Sequence, residues 1–239
     1  MYNYAEYEAF WSDPISDYTR LLEPYLQKVF KEYLSSNILE IGFGSGHLAL
    51  IFKQLGFNGY YQGIDTDPGA VDFAQKNIKN SNFYFSTFKD YTSLSQKPYD
   101  LAIFCLSACE MDDDTIQNYL KNIRTNRLLI INPSTVTNYF ESRIVKPFFN
   151  KFLSRLGATP RWKLIANVPD NHRTKRLYNI NNRADIPASM YYRATGDILN
   201  LCKQSDYIFE SYAELKYTEN TIKTAPIAKF EMLCFQKKS

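Results

Sequence analysis

The stretch ILEIGFGSGHL, residues 38–48, places three glycines at alternate positions, Gly42, Gly44 and Gly46. Glycine weakens strands and destabilises helices, so three glycines within five residues indicate a turn rather than regular structure. A short apolar run with one carboxylate, Glu40, precedes them, and a helical pattern follows. A strand that enters a glycine turn and then a helix presents backbone N–H groups and a helix N-terminus to a ligand. The stretch therefore predicts a ligand site at the carboxyl edge of a sheet.

A second carboxylate, Asp65, ends the next predicted strand, GYYQGID, 19 positions after Gly46. This spacing is close to that of the ribose-binding acid in dinucleotide-binding folds. The glycine pattern is G-x-G-x-G, however, and His47 stands where the dinucleotide fingerprint has its third glycine. An NAD-linked dehydrogenase is the main competing enzyme class, and the missing glycine weighs against it.

Strand and helix patterns alternate five times between residues 36 and 135, which predicts a parallel, doubly wound sheet with right-handed crossovers. One more helix, GDILNLCKQSDY, precedes two final strands, IFESYAELKY and KFEMLCFQKK. The link between those strands is only about ten residues long, which favours an antiparallel pair. Residues 15–34 have the apolar spacing of an N-terminal helix that Pro24 kinks or interrupts.

The segments LEIGFGSGHLA and GIDTDPGAVDFAQKN together resemble the class I, Rossmann-like, S-adenosylmethionine-dependent methyltransferases. The resemblance covers residues 36–135 and 193–239 of what we expect to be a single domain. It implies an α/β fold with a doubly wound, mostly parallel seven-stranded sheet whose last strand is antiparallel. A helical extension over residues 1–35 and a helical or loop lid over 137–192, inserted after strand five, complete the expected architecture.

The resemblance also implies a cofactor, S-adenosylmethionine, and the residues that contact it. Glu40 and the glycines match the motif that lines the methionine end, and Asp65 matches the acid that binds both ribose hydroxyls. Adenine is contacted just after strand three, and the end of strand four lies near the transferring methyl group. The expected cofactor residues are Glu40, Gly42, Gly44, Gly46, Asp65, Thr66, Thr87, Phe88 and Leu106.

The segment 137–192 separates predicted strand five from the last helix by 56 residues, far more than the usual connection. It opens with an aromatic helical pattern, NYFESRIVKPFFNKFLSRLG, and holds ten basic residues against three acidic ones. Its charge balance is therefore +7, which leaves −4 for the rest of the chain. Two interpretations stay open: a solvated helix face with a surface loop, or a lid positive enough to hold an anionic substrate.

The family has no universal catalytic residue, so candidates for a base rest on chemistry alone. His172 lies in the insertion and titrates near neutrality, and Glu110 follows strand four. As an alternative, His172 is a surface residue of a polar loop. Substrate contacts are expected from the N-terminal aromatics, the ends of strands four and five and the basic insertion: Tyr7, Trp11, Ser107, Asn132, Arg173 and Arg176. The N-terminal aromatics equally well serve to pin that segment to the core.

The composition weighs against several other classes. A net charge of +3 does not by itself indicate nucleic-acid binding, and no run of about 18 apolar residues predicts a transmembrane helix. The four cysteines form no CxxC pair and the chain has only two histidines, so no metal site is expected. Cys105 and Cys109 are interpreted as small core residues. The cysteine usage and the absence of a visible secretory signal predict the reducing cytosol.

The expected function is transfer of a methyl group from S-adenosylmethionine to N or O of a small molecule, with the insertion's charge favouring an anionic one. The alternative is an RNA or protein methyltransferase that binds its substrate with the basic strip NHRTKRLYNINNR. A catalytically silent binding module is the third hypothesis, and the intact set of Glu40, three glycines and Asp65 argues against it.

Overall fold

A seven-stranded sheet organises the chain. The computed structural model describes residues 18–133, 193, 195–215 and 230–238, and the backbone of two strands at 173–178 and 186–191. The sheet has the order β3-β2-β1-β4-β5-β9-β8, and a separate two-stranded sheet pairs β6 with β7. The strands are β1 (Asn37–Ile41), β2 (Tyr60–Asp65), β3 (Phe83–Thr87), β4 (Tyr99–Cys105), β5 (Thr125–Pro133), β6 (Arg173–Tyr178), β7 (Ile186–Tyr191), β8 (Tyr207–Leu215) and β9 (Phe230–Lys237).

Five α-helices in the described residues connect or cover these strands. They are α1 (Glu23–Phe30), α2 (His47–Gln54), α3 (Pro68–Asn77), α4 (Asp113–Asn122) and α5 (Thr195–Gln204). Short 3₁₀ turns span Lys31–Tyr33, Tyr91–Ser95 and Ala108–Glu110. The helix starts follow from local chemistry: the Asp67 side chain accepts from the Gly69 N–H at 2.8 Å and the Asp112 side chain from the Thr115 N–H at 2.7 Å.

The sheet is covered on both faces, which explains why its central strands are apolar nearly throughout. Leu101 and Ile103 of β4 pack with α1, α2 and α3 on one face. Ala102 and Phe104, the alternate residues, pack with α4 and α5 on the other. The predicted doubly wound architecture is therefore confirmed.

The last strand of the sheet, β9, reverses direction, as the sequence predicted. β1 to β5 are parallel in every pairing, whereas β9 runs antiparallel to both β5 and β8. β9 is thus inserted between two strands that precede it in the chain.

The predicted N-terminal helix changes from a π to an α hydrogen-bond pattern next to Pro24. A single π turn, Tyr18–Leu22, precedes α1, whose first turn holds Pro24. A missing N–H is tolerated in a first helical turn, since that group has no intrahelical partner there. Residues 15–17 of the predicted helix lie outside the described residues.

The insertion contains a β-hairpin that the sequence analysis did not foresee. β6 and β7 pair antiparallel, with Arg173 opposite Tyr191 and Tyr178 opposite Ile186. β6, RTKRLY, is mostly charged, and β7, IPASMY, contains a proline, so neither segment was predicted as a strand. The expectation of a helical or loop lid was therefore wrong for 173–178 and 186–191, and the predicted aromatic helix lies outside the described residues.

Two glycines at the ends of α2 have the same backbone conformation but different surroundings, so they separate the cost of a left-handed φ angle from the cost of a steric clash. Gly46 and Gly56 both have left-handed φ angles, +82° and +80°. A Cβ at Gly46 would stand 2.5 Å from Cδ1 of the buried Ile78, whereas a Cβ at Gly56 would meet nothing within 4 Å.

We predict that Gly46→Ala lowers the free energy of unfolding by about 1–3 kcal/mol more than Gly56→Ala does. Both variants bear the cost of a left-handed alanine, and only the first overpacks the core. Urea denaturation measures the difference. Ile78→Val removes the clashing methyl group, so the double variant with Gly46→Ala should lose less than the sum of the single losses. Equal costs for the two glycines, or strict additivity in the double variant, would contradict the steric explanation.

Candidate cofactor-binding site

The glycine turn after β1 has a backbone that only glycine adopts readily. Gly42, Gly44 and Gly46 have φ angles of +71°, +57° and +82°. The Gly42 N–H donates to the Ile64 carbonyl at 2.8 Å, which ties the turn to β2. The turn thus delivers its backbone to the carboxyl edge of the sheet, where α2 begins.

Asp65 holds this turn from the end of β2. Its Oδ2 accepts from the Gly44 N–H at 2.9 Å, and its Oδ1 accepts from the Asp67 N–H at 3.0 Å. Desolvation raises the pKa of Asp65, and these backbone hydrogen bonds oppose that shift. Each carboxylate oxygen has a further lone pair, so Asp65 can still accept from two hydroxyls of a ribose. Thr66 lies beside it and is exposed.

Glu40 is buried beneath the turn with a partner that the sequence analysis missed. Glu40 is 2% exposed, and the Tyr61 hydroxyl donates to its Oε2. Burial raises the pKa of Glu40, the hydrogen bond from Tyr61 lowers it, and the charge of Asp65 raises it. Together these effects bring the pKa of Glu40 to about 8. Tyr61 lies on β2, in a strand whose pattern gave no sign of a polar role.

Thr87 and Phe88 lie directly next to Asp65, and their contact with the adenine stays a prediction. Thr87 pairs with Asp65 across the β2–β3 ladder, and the Phe88 N–H donates to the Asp65 carbonyl at 2.7 Å. The Phe88 ring packs against Tyr91 and Tyr119, with centroids 4.9 and 5.1 Å away. This half-buried ring gives the site an aromatic wall.

Leu106 and Ser107 form a strained corner after β4. Leu106 has φ +59°, a left-handed conformation that is costly for a bulky side chain. Its N–H donates to the Ile131 carbonyl at 2.8 Å, which keeps β4 joined to β5 at this point. The Ser107 hydroxyl donates to the Ile41 carbonyl, and Ser107 Cβ would lie 2.5 Å from a Cβ on Gly42. Ser107, a substrate candidate, therefore lies against the glycine turn.

Glu110 ends the 3₁₀ turn that follows and is near Asp65. Its side chain is exposed to water, yet neighbouring protein atoms limit its hydration, and this desolvation raises its pKa to about 7. The negative charge of Asp65 adds to the shift. Glu110 therefore lies on the cofactor side of the edge, close to the predicted ribose position.

The remaining predicted residues are dispersed. Asn132 ends up at the carboxyl end of β5, 8% exposed, with no hydrogen bond to its Oδ1. Arg173 and Arg176 belong to β6, for which the backbone is described. Tyr7, Trp11 and His172 lie outside the described residues.

Arg193 is a central contact that the sequence gave no signal for. It is 8% exposed, and its guanidinium donates to Asp113 Oδ1 at 2.6 Å, to the Ala108 carbonyl at 3.0 Å and to the Met111 carbonyl at 2.6 Å. β7 lies against the same Ala108–Glu110 turn. The end of the insertion is thereby fixed to the segment that holds Glu110.

The described residues contain no group of three or more His, Cys, Asp or Glu side chains arranged for a metal ion. All four cysteines are free, and Cys109 and Cys202 are buried while Cys105 and Cys234 are partly buried. In this part of the chain, no helix has the length and apolar character needed to cross a membrane.

A family model described as a methyltransferase domain matches residues 38–126, the segment that holds the glycine turn, Asp65 and the strained corner. This segment is thus similar to the methyltransferase domain of the class I methyltransferases. The similar solved structures are S-adenosylmethionine-dependent methyltransferases, which is consistent with S-adenosylmethionine as the cofactor. The ribose, methionine and adenine contacts of Asp65, the glycine turn and Phe88 stay predictions.

Similar proteins share this core over different lengths. A ribosomal protein L11 methyltransferase from Dictyoglomus thermophilum is 44% identical over 57 residues, which is 24% of this chain and 18% of that protein. The chain spans between 18% and 27% of the length of the curated relatives it matches.

Two solved structures share the fold at low sequence identity. An S-adenosylmethionine-dependent methyltransferase from Clostridium acetobutylicum is 13% identical, with a TM-score of 0.63 over 99% of both chains. A magnesium protoporphyrin IX methyltransferase from Synechocystis with bound SAH is 12% identical, with a TM-score of 0.57 over 98% of this chain and 94% of the other.

Asp65→Ala should weaken S-adenosylmethionine binding at least about tenfold, because two charge-assisted hydrogen bonds worth about 1.5–3 kcal/mol each would be lost. Titration calorimetry measures this change. Asp72→Ala is the matched control, since Asp72 is exposed on the nearby helix α3 and the charge change is the same. Equal affinity of the folded Asp65 variant and the parent would show that the ribose is held elsewhere.

Glu40→Gln should flatten the pH dependence of stability between about pH 4.5 and pH 8. Because folding raises the pKa of Glu40 to about 8, the unfolded chain releases its proton first as the pH rises. Below about pH 4.5, Glu40 is protonated in both states and does not change the pH dependence of stability. Between about pH 4.5 and pH 8, it lowers the free energy of unfolding by up to about 1.4 kcal/mol per pH unit. Denaturation of parent and variant across the window tests this, and parallel profiles would contradict it.

Proposed function

We propose that the protein transfers a methyl group from S-adenosylmethionine to N or O of a small anionic molecule enclosed by the insertion. A sulfonium is an activated methyl donor, so the chemistry is an in-line displacement that asks chiefly for alignment and exclusion of water. In this proposal, Asp65 and the glycine turn hold the cofactor, and the insertion covers the acceptor.

The observation that best supports this proposal is the position of β7 against the Ala108–Glu110 turn. This turn follows β4, whose end lies near the transferring methyl group in the resembling family. Arg193 fixes the chain just after β7 to the same turn through the Ala108 carbonyl. Because the end of the insertion is held at this edge, the insertion is suited to cover a small acceptor. Its net charge of +7 favours an anionic acceptor.

Glu110 is proposed as the group that takes a proton from the acceptor. A pKa of about 7 lets a carboxylate exist in both forms at neutral pH, which a general base requires. Glu110 has a competing role as a contact to the cofactor, which its closeness to Asp65 favours. His172 remains the second candidate.

A protein methyltransferase is the second candidate function, favoured by the ribosomal protein L11 methyltransferases among the relatives. The matched stretches of 57 to 85 residues are shorter than the Rossmann-like core and comprise at most 27% of those proteins. The likeness thus supports the shared cofactor fold more strongly than a shared acceptor.

We predict that methyl transfer from radiolabelled S-adenosylmethionine occurs to small anionic molecules and not to ribosomal protein L11 or bulk RNA. The triple variant Arg173→Ala, Lys175→Ala and Arg176→Ala should keep cofactor affinity within about twofold and lower kcat/KM at least about tenfold, since it removes acceptor charge contacts. The matched control removes three exposed lysines outside the insertion, Lys53, Lys76 and Lys121.

Each outcome of this experiment separates the hypotheses. Tight RNA binding that persists at 0.15 M salt, a test condition, and vanishes in the triple variant would replace the small-molecule proposal, since weak nonspecific contacts are lost with salt. Labelling of L11 alone would favour the protein methyltransferase. Full activity of the triple variant would show that the three basic residues do not contact the acceptor and would favour a solvated surface loop.

A further inference from the structure

Three polar side chains stand in one row across β5, β9 and β8. Asn132 pairs directly with Glu231, and Glu231 pairs directly with Glu214. Directly opposed residues in antiparallel strands project from the same face, with Cβ atoms about 4.5–5.5 Å apart. This polar row, Asn132, Glu231 and Glu214, lies on the face covered by α5, because Thr195 of α5 bonds to Glu231.

Asn132 supplies an acceptor to which none of the described residues donates. The residue is 8% exposed, and its Oδ1 is buried without a hydrogen-bond partner. Leaving a buried acceptor unsatisfied costs about 1–3 kcal/mol, so native proteins nearly always provide a donor. A ligand that donates at this position would satisfy the Asn132 acceptor.

Glu231 supplies a buried carboxylate that no described lysine or arginine pairs with. It is 3% exposed, and the hydrogen bond it accepts from Thr195 Oγ1, at 2.9 Å, comes from a neutral group. Among the described residues, the ion pairs of lysine and arginine involve Glu210 and Asp113 and not Glu231. Buried carboxylates are normally paired with a positive charge, since desolvation is otherwise uncompensated.

The polar row is close to the edge where methyl transfer is proposed. Asn132 follows Ile131, whose carbonyl accepts from the N–H of the strained Leu106. β5 ends at Pro133, just before the insertion. A group held by Asn132 and Glu231 would thus lie between the end of β4 and the insertion.

We propose that Asn132 and Glu231 bind a protonated amine of the methyl acceptor. An ammonium group has three donors and one positive charge, so it can satisfy Asn132 Oδ1 and the Glu231 carboxylate together. This inference rests on the proposed function, and it narrows the acceptor to a small anionic molecule that also carries an amine.

Glu231 has a competing structural role that the test must separate. A carboxylate near the first residue of α5 is also favoured by the helix dipole. That role predicts a loss of stability in Glu231→Gln without any change in ligand affinity.

The test uses a matched pair of probes, benzylamine and benzyl alcohol, which differ in charge and in donor number. Ligand-observed NMR measures their affinity for the full chain, with and without S-adenosylhomocysteine. We expect the parent to bind benzylamine at least about tenfold more tightly than benzyl alcohol, and Glu231→Gln to lose that preference. Glu210→Gln, an exposed glutamate of β8, is the control and should keep it.

The competing outcomes are distinct. Equal binding of the two probes by the parent, or an unchanged preference in Glu231→Gln with only a lower Tm, overturns the amine site. If Glu231→Gln fails to fold, Asn132→Asp replaces it: a second carboxylate should tighten benzylamine binding, and unchanged or weaker binding overturns the site. A protein that binds benzylamine but neither S-adenosylmethionine nor S-adenosylhomocysteine contradicts the proposed function and leaves the amine site intact.

Discussion

The hydrogen bond from the Gly44 N–H to the Asp65 carboxylate is the constraint around which the site is arranged. It joins the glycine turn to the end of β2. The other oxygen of the same carboxylate holds the Asp67 N–H, where α3 starts, and the Asp65 carbonyl holds the Phe88 N–H after β3. One residue thereby fixes three segments at a single edge. A ligand that adds hydrogen bonds to Asp65 meets a backbone that is already in position, so little ordering entropy is lost on binding.

The parts of this site that could be predicted from the sequence are those set by local constraints. Three alternate glycines after an apolar run have few uses other than a left-handed turn, and the spacing to Asp65 follows from the length of one strand–helix–strand unit. The alternation of elements likewise determined the sheet. Thr87 and Phe88 could be predicted to lie near Asp65 because the ends of neighbouring parallel strands reach the same edge.

The parts that could not be predicted depend on contacts between segments far apart in the chain. Tyr61 has the pattern of a core residue, and only the β1–β2 pairing brings its hydroxyl to Glu40. Arg193 contacts residues some 80 positions earlier, in a turn whose course no local pattern determines. The Asn132–Glu231 pair requires the register of an antiparallel ladder. The hairpin of the insertion combines a mostly charged strand with a strand that contains a proline, so its pairing could not be predicted from the sequence.

The place of β9 between β5 and β8 has a consequence for how the chain is made. Synthesis releases β1 to β5 first, so these parallel strands can pair while β5 still has one unpaired edge. That edge is long and apolar, since Leu128 to Ile131 are all buried once the sheet is complete. Open edges of this kind readily pair with strands of other chains. The edge closes only when Gln236 reaches Arg127, a contact of very long sequence separation. We therefore expect chains truncated before β9 to associate rather than fold.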